Sequence, residues 1–434
     1  MTVRQPRSAP PAGRLPRGLS AFSHHNFRLF WIGQFVSLAG TWMQQVAQAW
    51  LVLQLTNDPF ALGIVAAAQF APVLLFGLFA GVLADAVAKR KTLMYTQVVA
   101  AVLAALLGLL VATGNVEVWH VYLLAVGLGV VNAFDMPARQ SFVVEMVGRE
   151  DVANAVALNS AVFNGTRIIG PAIAGVFIAT IGMVPLFFIN AVSYLAVVVS
   201  LLAMRPQELV APVERVVLQR NWGSVVDRLV EGLRYVRADG VILLSMVLLG
   251  VVSTFALNFQ VLIPVLARDV LRGDADTFGF LMAASGAGSL VSALSIAFGQ
   301  RPTLRLLLAG ALAIGVGMVG LGLTTYLPFS FGLMFVCGWG VIAMAATTNT
   351  YIQLRVPDVL RGRVMSVYTT VFAGSVPIGG LFAGAVAAGW GVQAALWVGG
   401  AVALLATIVA AVRLGGLSRL RALRTMSRWR ATQR

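Results

Sequence analysis

An α-helix needs roughly 20 mostly apolar residues to cross the hydrocarbon layer of a membrane, and this chain of 434 residues offers about twelve such stretches. They fall near 28–54, 61–84, 92–113, 118–142, 153–179, 183–204, 241–266, 277–299, 303–325, 328–353, 360–388 and 392–413. Membrane β-barrel strands would read as short alternating segments between turn residues, a pattern absent from this sequence. The fold class expected is therefore an all-α membrane protein with about 12 transmembrane helices.

Composition agrees. Apolar residues make up 59% of the chain and charged residues only 11%, whereas soluble domains run about half apolar and a quarter charged. That excludes an ordinary cytosolic enzyme and a disordered chain. Cys337 is the single cysteine, so a disulfide scaffold is excluded too. A net charge of +15 invites a nucleic-acid reading, but the basic residues sit between the apolar stretches. With the N-terminus inside, about 28 of the 31 Lys and Arg residues fall on the cytoplasmic side. Arg268 and Arg272 fall outside, and Arg167 lies within a stretch. Both termini are thus expected in the cytoplasm of a multi-pass protein of a bacterial inner or plasma membrane. Lipid, not nucleic acid, is the expected surface for the basic tail.

The expected organisation is a basic tail (1–26), a six-helix half (27–204), a cytoplasmic linker (205–240), a second six-helix half (241–413) and a basic tail (414–434). In the linker, Trp222, Val225, Val226, Leu229, Leu233 and Val236 recur at helical spacing opposite Asp227, Arg228, Glu231 and Arg234. That pattern predicts an amphipathic helix on the membrane surface. The halves echo one another: the fifth stretch carries "NSAVFNGTRIIGPAIAG" and the eleventh "MSVYTTVFAGSVPIGGLFAG", with Pro171 and Pro377 at corresponding depths. Internal repeats of this kind mark secondary transporters.

After the second stretch comes "GVLADAVAKRK". Gly81, Asp85, Lys89 and Arg90 match the loop signature of the major facilitator superfamily, with Ala86 and Ala88 departing from it. "RQSFVVEMVGREDVANAVALNSAVFNGTRIIGPAIAG" (139–175) and "VPDVLRGRVMSVY" (356–368) resemble the branch that includes enterobactin exporters and macrolide-efflux-type proteins. The resemblance covers roughly residues 27–412 and implies two six-helix bundles that work as a monomer by alternating access. It also implies that Asp85 meets the positive N-terminal dipole of the eleventh helix near 358–362. Lys89 and Arg90 are expected to pair with Asp135 or Glu145, joined in the gate by Arg139, Arg361 and Arg363. A role in topology alone remains open for residues 89–91.

Charge inside a bilayer is costly and marks function. Arg167 either lines a cavity and meets an anionic or polar group of the cargo, or bonds to carbonyls freed at Gly170-Pro171. In the first stretch Gln34, Ser37, Thr41, Gln45 and Gln48 share a helix face, with Gln44 adjacent. They face either a cavity or a neighbouring helix. Asn258 and Asn349 are the second-half cavity candidates. Gly170, Pro171, Gly175 and Pro377 are hinge candidates, "GTRIIGPAIAG" resembling the Gly-Pro signature of exporters.

"GVGMVG" (315–320) matches a dinucleotide fingerprint as text, but it lies inside an apolar span and reads as a packing face. No phosphate-binding loop, metal-ligand cluster or catalytic constellation stands out. The expected function is export of a small amphipathic molecule of the drug or siderophore class, without a cofactor and driven by protons. Asp135 and Glu145 are the candidate protonation sites or, alternatively, solvated gate charges. An importer or facilitator of the same fold is the rival reading, and a polytopic membrane enzyme a further one.

Overall fold

The computed structural model describes residues 17–210, 222–299 and 303–432, except for the side chains at 17, 78–86, 222–229, 358 and 415–432. The first half contains α1 (His25–Thr56), α2 (Pro59–Ala86), α3 (Lys89–Ala112), α4 (Val118–Ile181) and α5 (Val184–Leu202). The linker helix α6 (Trp222–Ala238) precedes α7 (Gly240–Phe255), α8 (Phe259–Val265), α9 (Ala275–Ala297), α10 (Leu304–Leu323), α11 (Leu327–Arg355), α12 (Asp358–Trp390) and α13 (Val392–Thr432).

Ten of the described segments are long and apolar enough to cross a membrane. Two details bring the crossings to twelve. At 64 residues, α4 would extend about 96 Å if straight, three times the hydrocarbon thickness. Gly148 breaks it with φ 69° and ψ 179°, a conformation that glycine adopts without the clash a Cβ would bring. The two arms, 118–147 and 149–181, therefore cross separately. The other addition is α1, whose length of 32 residues is ample but whose amide stripe lowers its hydropathy. One further crossing is composite: α7 and α8 run in tandem through a non-helical notch at 256–258.

The ends are set locally. Asp239 caps α7 by accepting the N–H groups of Val241 (2.9 Å) and Ile242 (3.2 Å), and Thr303 caps α10 through Leu306 N–H at 3.2 Å. Such caps satisfy donors that the first turn leaves open. Glu117 and His120 form a reciprocal capping box at the start of α4.

Small residues set helix spacing, as expected where lipid removes the hydrophobic drive between helices. Within the first half, Gly33 and Gly40 of α1 lie against Ser200 and Ser193 of α5. Within the second, Gly288 and Gly338 bring α9 and α11 together backbone to backbone. The fingerprint-like glycines of α10 serve packing: Gly315 abuts Leu404, Gly317 abuts Cys337 and Gly320 abuts Leu333.

Two helix pairs carry most of the join between the halves. Gly63 of α2 lies against the Gly380 carbonyl of α12, and Gly384 against Pro59 and Phe60. The second arm of α4 meets α9 through Gly175 against Asp276, Gly279 against the Pro171 carbonyl and Gly286 against the Arg167 carbonyl. These approaches extend from mid-depth to the end of the bundle remote from the termini.

Candidate translocation path and gate

At the terminus-bearing end, the described ion pairs lie within the first half or between the second half and the linker that precedes it. Lys89 Nζ lies 2.5 Å from Glu145 Oε1, with both side chains largely buried. Arg90 instead donates to the carbonyls of Leu201 (2.8 Å) and Leu202 (3.4 Å), at the C-terminus of α5, where a cation complements the helix dipole. Asp135 is buried and accepts from Thr96 Oγ1 at 2.7 Å, Gln97 Nε2 at 2.9 Å and Arg139 Nε at 2.7 Å. Arg139 Nη2 reaches the same carboxylate at 2.5 Å. Four donors, two of them from the Arg139 guanidinium, make this a fully bonded carboxylate.

The second half has its own pairs. Arg355 Nε meets Asp239 Oδ2 at 2.7 Å. Burial would raise the Asp239 carboxyl, but hydrogen bonds from Arg355 and from the Ile242 and Val241 N–H groups outweigh it and hold the group below its ordinary range. Arg363 pairs with Glu231 of α6, and Gly232 lies against the Arg363 carbonyl. Val236 is buried in a cluster with Ile242, Met246, Ile352, Val356 and Val364. Thus α6 is seated on the α12 entrance. Arg361 donates to the Gln353 carbonyl at 3.1 Å. Gly81 and Asp85 lie on the α2 backbone, and the Asp85 side chain and its expected meeting with α12 lie outside the described residues.

The α1 stripe divides among several neighbours. Thr41 donates to the Ser37 carbonyl at 2.9 Å and approaches Tyr194 Oη of α5 at 3.4 Å. Gln44 accepts from Asn190 at 2.6 Å. Gln45 accepts from Gln260 of α8 at 2.6 Å, an amide bridge between the halves. Gln48 lines two small crevices, one within the first half and one shared with Gln45, Gln69 and Gln260. Gln34 is buried, and its Nε2 has no hydrogen-bond partner.

In the second half, Asn258 sits in the notch between α7 and α8 and donates to the Thr254 carbonyl at 2.8 Å. Asn349 accepts from Gln353 at 2.6 Å. Gly170 packs against Trp42 and the Ala39 carbonyl, while α4 stays helical through Pro171. Pro377 lies inside α12. In this conformation the hinge-candidate glycines of α4 are contact points.

Arg167 sits at mid-depth with its Cζ 5.8 Å from the centroid of the Trp42 ring. Sequence reasoning missed Trp42, which lies one position off the polar stripe. It also missed Gln260, Thr96, Gln97, Tyr194 and the Glu231–Arg363 and Asp239–Arg355 pairs. The available signal was polarity: Thr96 and Gln97 interrupt an otherwise apolar span, as does Gln260.

At the remote end, Arg268 donates from Nη1 to the Leu53 carbonyl of α1 at 3.3 Å while its Nε binds Asp269 at 2.6 Å. This contact joins the halves across the C-terminus of α1. The described inter-half contacts therefore close that end, whereas the ion pairs among the described residues at the terminus-bearing end stay within the first half or join the second half to the linker.

Comparison with known proteins agrees with this architecture. The chain is 31% identical over 366 residues to the multidrug efflux pump Tap of Mycolicibacterium fortuitum, covering 82% of this chain and 88% of that protein. It is 24% identical to the enterobactin exporter EntS of Shigella boydii, covering 80% and 82% of the two chains. A POT family transporter crystallised with 5-aminolevulinic acid shares the fold, with a TM-score of 0.72 at 12% identity over 90% of this chain and 96% of that one. The family profile described as "Transmembrane secretion effector" matches residues 17–431, and the chain belongs to that family of major facilitator transporters.

Proposed function

We propose that the protein exports a small amphipathic molecule of the drug or siderophore class by alternating access, coupled to the proton gradient. It works as a monomer in a bacterial plasma membrane, with both termini in the cytoplasm. The observation that carries the alternating-access reading is the inter-half seam, closed by α2–α12 and α4–α9 at the end remote from the termini. With the arginine-rich connectors inside, closure at the remote end corresponds to an inward-facing arrangement, a state that alternating access visits in either direction of transport. The printed functions of the two relatives, drug efflux and enterobactin export, support the direction and cargo class.

Proton coupling falls to Asp135. Protonating it would weaken its hold on Arg139, Thr96 and Gln97 together, which changes how α3 and α4 are joined. The test begins with untargeted comparison of metabolites inside and outside cells with and without the protein. The compound that changes is then followed in everted and right-side-out vesicles with and without a protonophore. Uptake is expected only in everted vesicles, abolished by the protonophore and by Asp135→Asn. Accumulation in right-side-out vesicles alone would mean import, and indifference to the protonophore would remove the coupling.

A further inference from the structure

Polar groups without partners converge at mid-depth between α1 and α4. Arg167 makes no hydrogen bond or ion pair with any described residue, and its Nε is buried. Trp42 Nε1, on the ring beside it, is also buried and unpartnered. One turn below, Asn164 is 7% exposed, and its Oδ1 lacks a donor while its Nδ2 serves the Ser160 carbonyl at 2.8 Å.

Leaving such groups unsatisfied costs about 1–3 kcal/mol each, and more for a charged group. Neither internal solution is used. The Arg167 carbonyl, left without its helical donor by Pro171, faces Gly286 of α9. Asp135, the buried carboxylate among the described residues, is occupied by Arg139. The guanidinium therefore carries an uncompensated positive charge.

The groups lie along a helix face that runs toward the terminus-bearing end. Ser160, Asn164 and Arg167 are spaced four and three residues apart and share one helix face, and Ser160, nearest that end, is exposed. Phe163 stands at 45% exposure with its ring edge-on to Trp42, centroids 5.6 Å apart. The result is a charged donor and an indole donor beside an aromatic shelf.

We propose that Arg167 and Trp42 form an anion subsite that binds a carboxylate on the cargo, with the cargo's apolar body against Phe163 and the Trp42 ring. Resting on the export reading, this names the cargo as an acidic amphipath. Arg167 supplies the charge and Trp42 Nε1 a second donor to the same oxygens.

The experiment is equilibrium binding of radiolabelled 1-naphthylacetate and its neutral counterpart 1-naphthylacetamide to purified protein in nanodiscs of phosphatidylcholine. The acid is expected to bind at least about ten-fold more tightly than the amide, since hydrogen bonds to charged groups contribute about 1.5–3 kcal/mol. Arg167→Gln should abolish the preference and Arg167→Lys should restore part of it. Trp42→Phe, which keeps a ring and loses the N–H, should reduce it a few-fold. A circular-dichroism melt verifies folding of each variant.

Equal binding of acid and amide by the wild type, or a preference that survives Arg167→Gln, overturns the subsite. Loss of the acid preference when phosphatidylglycerol is added assigns the site to a lipid phosphate and overturns the cargo assignment. Because the measurement involves no flux, it separates the two readings. Export without acid preference sinks the subsite alone; acid preference without vesicle flux sinks the transport reading.

Discussion

Gly279 offers the sharpest test of alternating access. A methyl group there would stand 2.5 Å from the Pro171 carbonyl oxygen and 2.9 Å from the Gly175 Cα. Both obstacles are backbone, so no rotamer change relieves them, and the helices must separate. Overpacking of this kind costs about 1–3 kcal/mol, whereas the roughly 1 kcal/mol that Ala gains over Gly in a helix is common to both conformations and cancels. The population closed at the remote end should therefore fall by about 5- to 150-fold relative to the alternative. Spin labels at Thr113→Cys and Thr325→Cys, in a Cys337→Ser background, would read this as a longer distance across that end. Gly165→Ala is the control: nothing lies within 4 Å of its would-be methyl, so its distances should match the parent. If Gly279→Ala leaves the distance distribution unchanged, the seam is not what holds that end shut.

Three other outcomes follow from the ion pairs. Lys89→Gln strands Glu145, whose side chain is only 17% exposed, and should cost about 1–3 kcal/mol of stability, between surface and buried values. Exchange of both charges should recover most of it in a detergent melt, and failure to recover would mean that the backbone geometry, not the pair, is at stake. Asp239 has a folded-state pKa below its unfolded value. Its stabilising contribution is thus complete above the unfolded pKa of about 3.9 and is lost as pH falls through the folded one. Asp239→Asn should flatten that part of the acid limb in a melting-temperature series, and an unaltered limb contradicts the assignment. Glu231→Lys sets two cations together at the α12 entrance and should increase proteolytic nicking of the linker, whereas unchanged digestion would make the α6 contact dispensable.

What the sequence made legible follows the lipid. Each crossing must satisfy its own backbone bonds and present apolar side chains, so length and hydropathy expose the helices individually. The signal weakens where helices satisfy one another. The α1 span was readable although its amides depress its hydropathy, but the partners of those amides were not: Asn190 and Gln260 lie 146 and 215 residues away. The same holds for Asp135. Its link to Arg139 is a one-turn spacing that any helix reading finds, while Thr96 and Gln97 depend on how α3 packs against α4. Lys89 with Glu145 was legible as one of two options because the signature narrowed the partners.

Arg167 marks the deeper limit. A lone arginine in an apolar span can be found by inspection, yet its role depends on whether the surrounding chain neutralises it, a property of the packed bundle. Pro171 frees a carbonyl one turn away, which made an internal solution plausible. That carbonyl is Arg167's own and faces Gly286 on α9, because the glycines that admit the second half have carried it into the seam. The packing that closes the remote end thus also leaves the guanidinium without an internal acceptor. Any substitution that opens the seam should change how Arg167 is satisfied. Gly279→Ala should therefore alter the acid-over-amide preference as well as the label distance. A shift in distance with an unchanged preference would show that charge site and gate are independent.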